Sequence, residues 1–252
     1  VLLLPLLFSV VPVAWLNGTM SHTQEREIGK RILPALIDTK SNYAPEAQQA
    51  IQKIATRLIG ANPELQQIEF DIRVSPTDDV NAFALPGGII LMNRGLLTSA
   101  ETPEEVAGVL AHEMAHVERR HTLRSLVGRL GYLGGFVVLS LIISPDAAIV
   151  LGQSLQIATL KYSRDDEREA DRFGHQYLVK AGINPEGMIS FFQKLGKKEA
   201  FLGDHKGMAP TAAKFFSTHP LSGERVETLK GLSASSSTSK LGSNYRPLDV
   251  TL

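Results

Sequence analysis

The fold of this chain depends on one stretch, TPEEVAGVLAHEMAH, which runs from Thr102 to His116. Its first residues are typical of a helix start: Thr102 can cap the free backbone amides, Pro103 suits the first turn, and Glu105 stands where a capping box has its acid. Apolar residues then recur at helical spacing and predict a buried face; they are Val106, Val109, Leu110 and Val117. The stretch therefore predicts a partly buried helix.

Two histidines near the end of this helix are spaced for metal binding. His112 and His116 are four residues apart, so they project from one side of the helix with Cβ atoms about 6 Å apart. Two imidazole nitrogens at that separation suit one tetrahedral zinc ion, with bonds of about 2.0–2.1 Å. Glu113 lies about 100° further round the helix, where a general base that activates zinc-bound water is expected. The charged residues that follow, Glu118 to His121, are expected to run out to solvent.

A catalytic zinc site needs a third protein ligand, and there are two ways to supply it. In the first, a glycine and a third histidine follow the pair closely, but Arg119 and Thr122 occupy the positions where these residues are required. In the second, a carboxylate comes from a later helix, here the one that begins after Ser163. Glu167 could bind the metal, and Asp171, four residues on, could accept the free N–H of a ligand histidine. Alternatively, these acids form only the solvated first turn of that helix.

Three short segments before the histidine helix have the pattern of strands. Residues 68–74 alternate apolar and polar side chains, and residues 81–85 and 89–92 flank the turn signal Pro86-Gly87-Gly88. They predict a small, largely antiparallel sheet beside the helix, in a fold of the α+β class that is mainly helical. An exposed sheet edge could accept an extended peptide through its main chain. Alternatively, the sheet only supports the helix.

The amino-acid composition restricts the kinds of partner and metal site that the protein can have. Lysine plus arginine and aspartate plus glutamate each total 26, so the net charge is zero, and nothing points to a nucleic-acid partner. The chain has no cysteine, which excludes disulfides and thiolate metal ligands. A metal site must therefore be built from imidazoles and carboxylates, and the cofactor we expect is Zn2+, one ion per chain.

Apolar and low-complexity stretches divide the chain. Residues 1–20 form an apolar leader that we interpret as an export signal or anchor remnant, or alternatively as a structural segment. Residues 126–160 have the pattern of an apolar helical hairpin. We expect this hairpin to be buried in the protein or to touch a membrane surface; the alternative that it spans a bilayer agrees less well with the four glycines of its first arm. Residues 233–252 form a low-complexity linker and tail. The folded domain is expected to cover residues 21–232.

With these motifs in place, the sequence resembles the M48 family of zinc metallopeptidases. The resemblance rests on HEMAH at residues 112–116 and on SRDDEREAD at residues 163–171. It extends to SHTQEREIG, NAFALPGG and THPLSGER, so it covers most of residues 21–232, and it is strongest to the soluble, exported branch of the family. It implies a zincin-like (gluzincin) fold with the zinc ligands His112, His116 and Glu167, the base Glu113 and a supporting Asp171.

The same resemblance implies roles for residues that spacing alone does not single out. His219 would be a latent fourth zinc ligand or would steady the oxyanion of the reaction, and Arg225, six residues later, would assist. The segment NAFA would supply the strand edge that binds substrate, with the residues Asn81, Ala82, Phe83 and Ala84.

The function that follows from these inferences is peptide-bond hydrolysis by a zinc-dependent endopeptidase, in which Glu113 activates a zinc-bound water. We expect an exported protein of the periplasm or envelope, in contact with a membrane surface, that acts on misfolded envelope proteins in quality control. One alternative is a chaperone-like binding protein whose zinc site His219 keeps blocked. Another is a di-iron carboxylate protein, but its two Glu-x-x-His elements, at residues 113–116 and 118–121, would share one helix and point apart.

Overall fold

The computed structural model describes residues 20–38, 43–130, 161–203, 213–220, 223–237 and 245–250. The expected apolar leader, residues 1–20, lies outside the described residues except for Met20, and the expected hairpin, residues 126–160, lies outside them except for residues 126–130, which are helical. Within them the chain is mainly helical with one small sheet, as the sequence predicts. No helix in these ranges combines the length and the apolar character that crossing a bilayer requires.

The N-terminal part is helical. Its elements are α1, His22–Ile32, with a following 3-10 turn, Leu33–Ala35; α2, Pro45–Ala61; and α3, Pro63–Gln66. Helix α1 begins with a complete capping box, because Ser21 Oγ accepts from Gln24 N while the Gln24 side chain accepts from Ser21 N. Helix α2 buries a stripe of apolar residues at helical spacing, among them Ile51, Ile54 and Leu58, as its periodicity predicts.

The sheet has three strands: β1, Asp71–Ser75; β2, Ala82–Leu85; and β3, Ile89–Asn93, in the order β1-β3-β2. Strands β2 and β3 form the expected antiparallel hairpin, in which Ala82 pairs with Met92 and Leu85 pairs with Ile89. Strand β1 runs parallel to β3, with Asp71 opposite Ile89. The sheet is therefore mixed rather than largely antiparallel.

The connections explain this difference. The loop from β1 to β2 carries the chain past the position of β3 and reverses its direction, and the turn after β2 reverses it again. Strand β3 therefore lies between β1 and β2 and runs in the same direction as β1. The turn after β2 needs glycine, because Gly87 and Gly88 have φ angles of +76° and +91° and a side chain on Gly87 would clash with the backbone of Arg26. Local patterns predict strands, but the partner of each strand depends on packing between distant segments.

The remaining helices surround the histidine helix. They are α4, Arg94–Ser99; α5, Pro103–Glu118; α6, His121–Leu130; α7, Arg164–Lys180; α8, Glu186–Gly203; α9, Ala213–Thr218; and α10, Gly223–Ser237. The expected domain boundary between residues 232 and 233 falls inside α10. The extended segment 245–250 docks on α2, where the Arg57 guanidinium donates to the carbonyls of Arg246 and Pro247.

Helix α5 lies at the centre of the core. It packs against α7, α8 and the strands β2 and β3, and every residue from Glu105 to Val117 is buried. Thr102 Oγ1 accepts from Glu105 N as predicted, but the Glu105 carboxylate accepts from Glu101 N and pairs with Lys194 instead of completing the capping box. Because so much of its surface is buried, α5 holds its two histidines in fixed positions.

Candidate metal centre

Helices α5 and α7 bring together the two histidines and the carboxylate that the sequence predicts as ligands. His112 and His116 lie on α5 with their Nε2 atoms 3.0 Å apart, and both side chains are fully buried. Glu167 lies in the first turn of α7, where Ser163 caps the helix in a capping box with Asp166. Its carboxylate oxygens are 3.5 Å from the Nε2 atoms of both histidines.

His219, just after α9, completes the cluster. Its Nδ1 lies 3.4 Å from His112 Nε2 and 3.0 Å from Glu167 Oε1, and its ring stacks on Phe215. The four ligand atoms of His112, His116, Glu167 and His219 all lie within 4.8 Å of one another. Ligands at 2.0–2.1 Å in a tetrahedron are about 3.3–3.4 Å apart. Four separations among the histidine nitrogens and Glu167 Oε1, 3.0–3.5 Å, are close to that value, and Glu167 Oε2 is also 3.5 Å from His112 Nε2. The donor set therefore fits a zinc ion.

The charges of the cluster are set by burial and by close partners. Burial opposes the protonated form of His112, but Asp171 and Glu167 outweigh it and raise the pKa of His112 to about 9. Burial also favours a neutral Glu167, yet the charges of His219 and Arg225 hold the pKa of this carboxyl well below its usual value. Burial lowers the pKa of His116 well below its usual value. Glu167 as a carboxylate and His116 as a neutral imidazole are in the forms that a metal ion requires, whereas His112 must lose a proton to bind one.

Glu113 lies beside the ligands without belonging to the cluster. Its side chain is fully buried, and neither carboxylate oxygen has a hydrogen-bond partner among the described residues, although His219 Nε2 is 3.3 Å from Oε1. Burial raises the pKa of Glu113. A buried carboxyl with so few polar contacts is costly. The position of Glu113 and its raised pKa fit a group that exchanges a proton with a water molecule at the centre.

Asp171 and Arg225 support the cluster from outside. Asp171 Oδ1 is 3.1 Å from His112 Nδ1, which is the position the sequence predicts for it. Arg225 donates from Nε and Nη2 to the two oxygens of Asp171 at 2.7 and 2.8 Å, and its Nη1 is 2.6 Å from Glu167 Oε2. Both partners raise the pKa of Arg225 against the effect of burial. These contacts show Arg225 holding two carboxylates in place.

Strand β2, which contains the residues predicted to bind substrate, runs along the cluster. The Asn81 carbonyl accepts from Asn93 N on the β3 side, whereas the Ala82 carbonyl lies 3.3 Å from His219 Nε2 and the Ala84 carbonyl accepts from Thr122 Oγ1. Main-chain groups therefore alternate along the strand. The N–H and C=O groups of Phe83, which pairs with Leu91, point towards β3. The groups of Ala82 and Ala84 point away from β3, towards the cluster.

Two residues of the centre were missed by the sequence analysis. His121, expected in solvent, is fully buried, and its Nδ1 lies 2.8 Å from His116 Nδ1. The expectation was wrong because Arg120 adopts a left-handed conformation, φ +56°, which ends α5 and turns the next residue inwards. Tyr162 stacks on the His116 ring at a centroid distance of 3.7 Å. The sequence holds no spacing signal for either contact, since each depends on where α6 and α7 pack.

The fold and the centre define a class of protein. A buried helix that carries His-Glu-x-x-His, a carboxylate from a later helix and a small sheet beside them characterise a zincin-like metallohydrolase. The model of peptidase family M48 matches residues 45–233, and the chain belongs to that family.

Comparison with known proteins agrees with the family. The chain is 31% identical to a beta-barrel assembly-enhancing protease of Yersinia pestis, over 83% of this chain and 44% of that protein. It is 32% identical to the mitochondrial metalloendopeptidase OMA1 of Bos taurus, over 73% of this chain and 36% of that protein. It is 30% identical to the metalloprotease LoiP of Escherichia coli, over 77% of this chain and 75% of that protein. The chain thus spans less than half the length of the first two relatives.

Proposed function

We propose that this chain is a zinc-dependent endopeptidase. The observation that carries the proposal is the convergence of His112, His116 and Glu167 around one point, with the buried carboxyl of Glu113 beside it. The names of the relatives, two of them metalloproteases or metalloendopeptidases and one a protease, support the same reaction.

The chain's own residues provide the steps of hydrolysis. Zinc held by His112, His116 and Glu167 would supply Lewis acidity, which acidifies a water molecule and polarises the substrate carbonyl. Glu113 takes the proton from the attacking water and later delivers it to the leaving amine, so that one water adds across one peptide bond. The imidazole of His219, beside this point, donates to the oxygen on which negative charge develops. Arg225 acts at a distance, because it orients Glu167 and Asp171.

Substrate binding would use the main chain of β2. The main-chain groups of Ala82 and Ala84 that point away from β3 would offer an extended peptide the hydrogen bonds of an added strand, once His219 and Thr122 release the two carbonyls that they contact. This mode of binding selects unfolded segments over folded domains. The substrates we propose are therefore misfolded proteins of the envelope. The protein itself would be exported to the periplasm or envelope, where it contacts a membrane surface. The role in beta-barrel assembly that the name of the Yersinia pestis relative states supports this assignment.

The role of Glu113 is tested by Glu113→Gln, which preserves shape and removes the base. We expect zinc content to stay at one ion per chain, while cleavage of unfolded casein falls by about 10²–10⁴-fold, the usual contribution of a general base. The matched control is Glu118→Gln on the same helix, which affects a hydrogen bond from Tyr177 and should leave cleavage near the wild-type rate. Retained turnover in Glu113→Gln would refute the role.

A second candidate function is a latent or chaperone-like binding protein, and one observation favours it. His219 Nδ1 occupies the fourth corner of the cluster, where a catalytic site keeps an open position for water. His219 Nε2 also lies 3.3 Å from the Ala82 carbonyl on the proposed substrate edge. In this state His219 blocks both the metal and one main-chain acceptor.

The variant His219→Ala separates the two candidates. If His219 mainly blocks the site, wild type cleaves casein slowly and the variant cleaves it faster. The rate should rise about tenfold for each 1.4 kcal/mol by which the contacts of His219 stabilise the blocked state. If His219 mainly stabilises the developing negative charge, the variant is slower, by about 10²–10³-fold. Initial cleavage rates at equal zinc occupancy decide between these outcomes.

A further inference from the structure

We propose that His121 and Glu169 are positioning residues of the metal centre, which hold His116 in the tautomer that presents Nε2 to the metal. The inference rests on the proposed zinc site and adds to it a chain of contacts that runs from His116 to the protein surface. Of the residues in this series of contacts, only His116 belongs to the four-residue ligand cluster.

The tautomer of His116 follows from a count of its protons. His116 faces the cluster with Nε2, so Nε2 must be free of a proton when it binds a metal and the proton of the neutral ring must lie on Nδ1. Among the described residues, the only polar contact of that Nδ1 is with His121 Nδ1, at 2.8 Å. In a hydrogen bond between two ring nitrogens, one nitrogen carries the proton and the other accepts it. It belongs to His116, and His121 Nδ1 accepts it.

The tautomer of His121 is fixed in turn. Because its Nδ1 accepts, a neutral His121 carries its own proton on Nε2, which lies 3.0 Å from Glu169 Oε2. Glu169 is one turn of α7 away from Asp166 and two residues after Glu167, so the same helix supplies the ligand and the outer anchor. The carboxylate of Glu169 therefore decides the tautomer of His121, and through it the tautomer of His116.

Two arginines hold Glu169 itself. Arg119 donates from Nε to Glu169 Oε1 at 2.9 Å, and Arg124 Nη2 lies 3.4 Å from Oε2. Both arginines stand close to His121 in sequence, so the turn at Arg120 places the histidine and its two supporting cations together. The charge of Glu169 is thereby stabilised at a site that is 22% exposed, while His121 is fully buried.

Each of the two histidine ligands has a carboxylate behind it, but at a different distance. Asp171 lies against His112 Nδ1, as carboxylates commonly do behind metal-binding histidines. His116 instead meets a second imidazole, and the carboxylate stands one residue further out. Tyr162, stacked on His116 at 3.7 Å with an interplanar angle of 14°, fixes the plane of the ring that His121 orients. Ring plane and tautomer are thus controlled by different residues.

The experiment measures zinc affinity by competition with a chromophoric chelator, on the full chain. His121→Leu removes the acceptor and should weaken zinc binding by about 10–100-fold, the usual effect of losing an outer partner. His121→Asn places an amide oxygen near the lost Nδ1 and should recover most of that affinity. Glu169→Gln keeps an acceptor for His121 and should fall between wild type and His121→Leu.

The matched control is His175→Leu. His175 is also a buried histidine, but its partner is Ser233 Oγ at 3.3 Å and it makes no described contact with the cluster. This variant should lower the thermal midpoint of the zinc-free chain without weakening zinc binding. A merely structural role of His121 predicts the same behaviour for His121→Leu, so unchanged zinc affinity in that variant would overturn the proposal.

A measurement on the wild-type chain keeps the proposal testable if His121→Leu does not fold. Nuclear magnetic resonance of the folded, zinc-free protein should show His116 protonated on Nδ1 and a coupling across the hydrogen bond to His121 Nδ1. A proton on His116 Nε2, or no coupling between the two nitrogens, would contradict the proposal. Failure of wild type to bind zinc would instead remove the proposed function, so the two failures are distinguishable.

Discussion

Arg225 shows how a single side chain determines whether the buried charges of the centre are tolerated. Glu167 and Asp171 are both buried, and each would be costly as an unpaired anion. The guanidinium of Arg225 contacts both, in a bidentate arrangement with Asp171 that a lysine could not reproduce. The resemblance to the family suggested that Arg225 assists at the oxyanion, but its contacts support a role in holding the ligand and its neighbour.

This leads to a prediction for Arg225→Met, which fills space similarly and removes the charge. The free energy of unfolding of the zinc-free chain should fall by about 3–5 kcal/mol, because two buried carboxylates lose their cation. Zinc should restore part of the loss, since the ion brings positive charge next to Glu167. Urea denaturation with and without zinc measures both effects, and Arg225→Lys should lose less than Arg225→Met. A loss that zinc does not reduce would argue against this account.

At the scale of elements, the centre depends on how closely three helices approach. A Cβ on Gly108 of α5 would lie 2.5 Å from Met188 Cα of α8, and a Cβ on Gly174 of α7 would lie 3.0 Å from His112 N. These glycines let α7 and α8 pack directly on the backbone of the histidine helix. Because α7 approaches the backbone of α5 this closely at Gly174, the Glu167 side chain reaches the cluster.

The prediction at this scale is that Gly108→Ala destabilises the protein, although alanine is the better helix former by about 1 kcal/mol. The added methyl group must displace the backbone of α8, and overpacking of this kind costs about 1–3 kcal/mol. Gly60→Ala in α2 is the matched control, because nothing lies within 4 Å of its Cβ position, and it should stabilise by about 0.5–1 kcal/mol. Urea unfolding compares the two, and equal effects of both substitutions would show that helix packing is not the cause.

At the scale of the molecule, the sequence predicts what lies within one element better than what lies between elements. His112, His116 and Glu113 share one helix, so helical periodicity places them relative to one another without knowledge of the fold. Glu167 was predicted because the chemistry of zinc demands a third ligand. The parallel pairing of β1 with β3 and the burial of His121 were not predicted, since the first depends on how distant segments pack and the second on the backbone angle of Arg120.

A consequence for the whole molecule is that the cluster ties together segments far apart in the chain. Its residues come from α5, from α7 and from the residue after α9, so an ion bound there crosslinks the folded state and has no equivalent site in the unfolded chain. Removal of zinc should therefore lower the thermal midpoint. At a free zinc concentration about 1,000 times the dissociation constant, the ion adds about 4 kcal/mol to the free energy of unfolding.

Calorimetry of the chain with zinc and after dialysis against a chelator measures this difference, and two variants show its origin. Glu167→Gln removes a ligand charge and should lose most of the zinc-dependent shift, whereas Glu113→Gln, beside the cluster but outside it, should keep the shift in full. The comparison separates metal binding from catalysis, because both variants are expected to be poor peptidases. If zinc shifts the midpoint of Glu167→Gln as much as that of wild type, then Glu167 does not bind the metal, and the proposed ligand set is wrong.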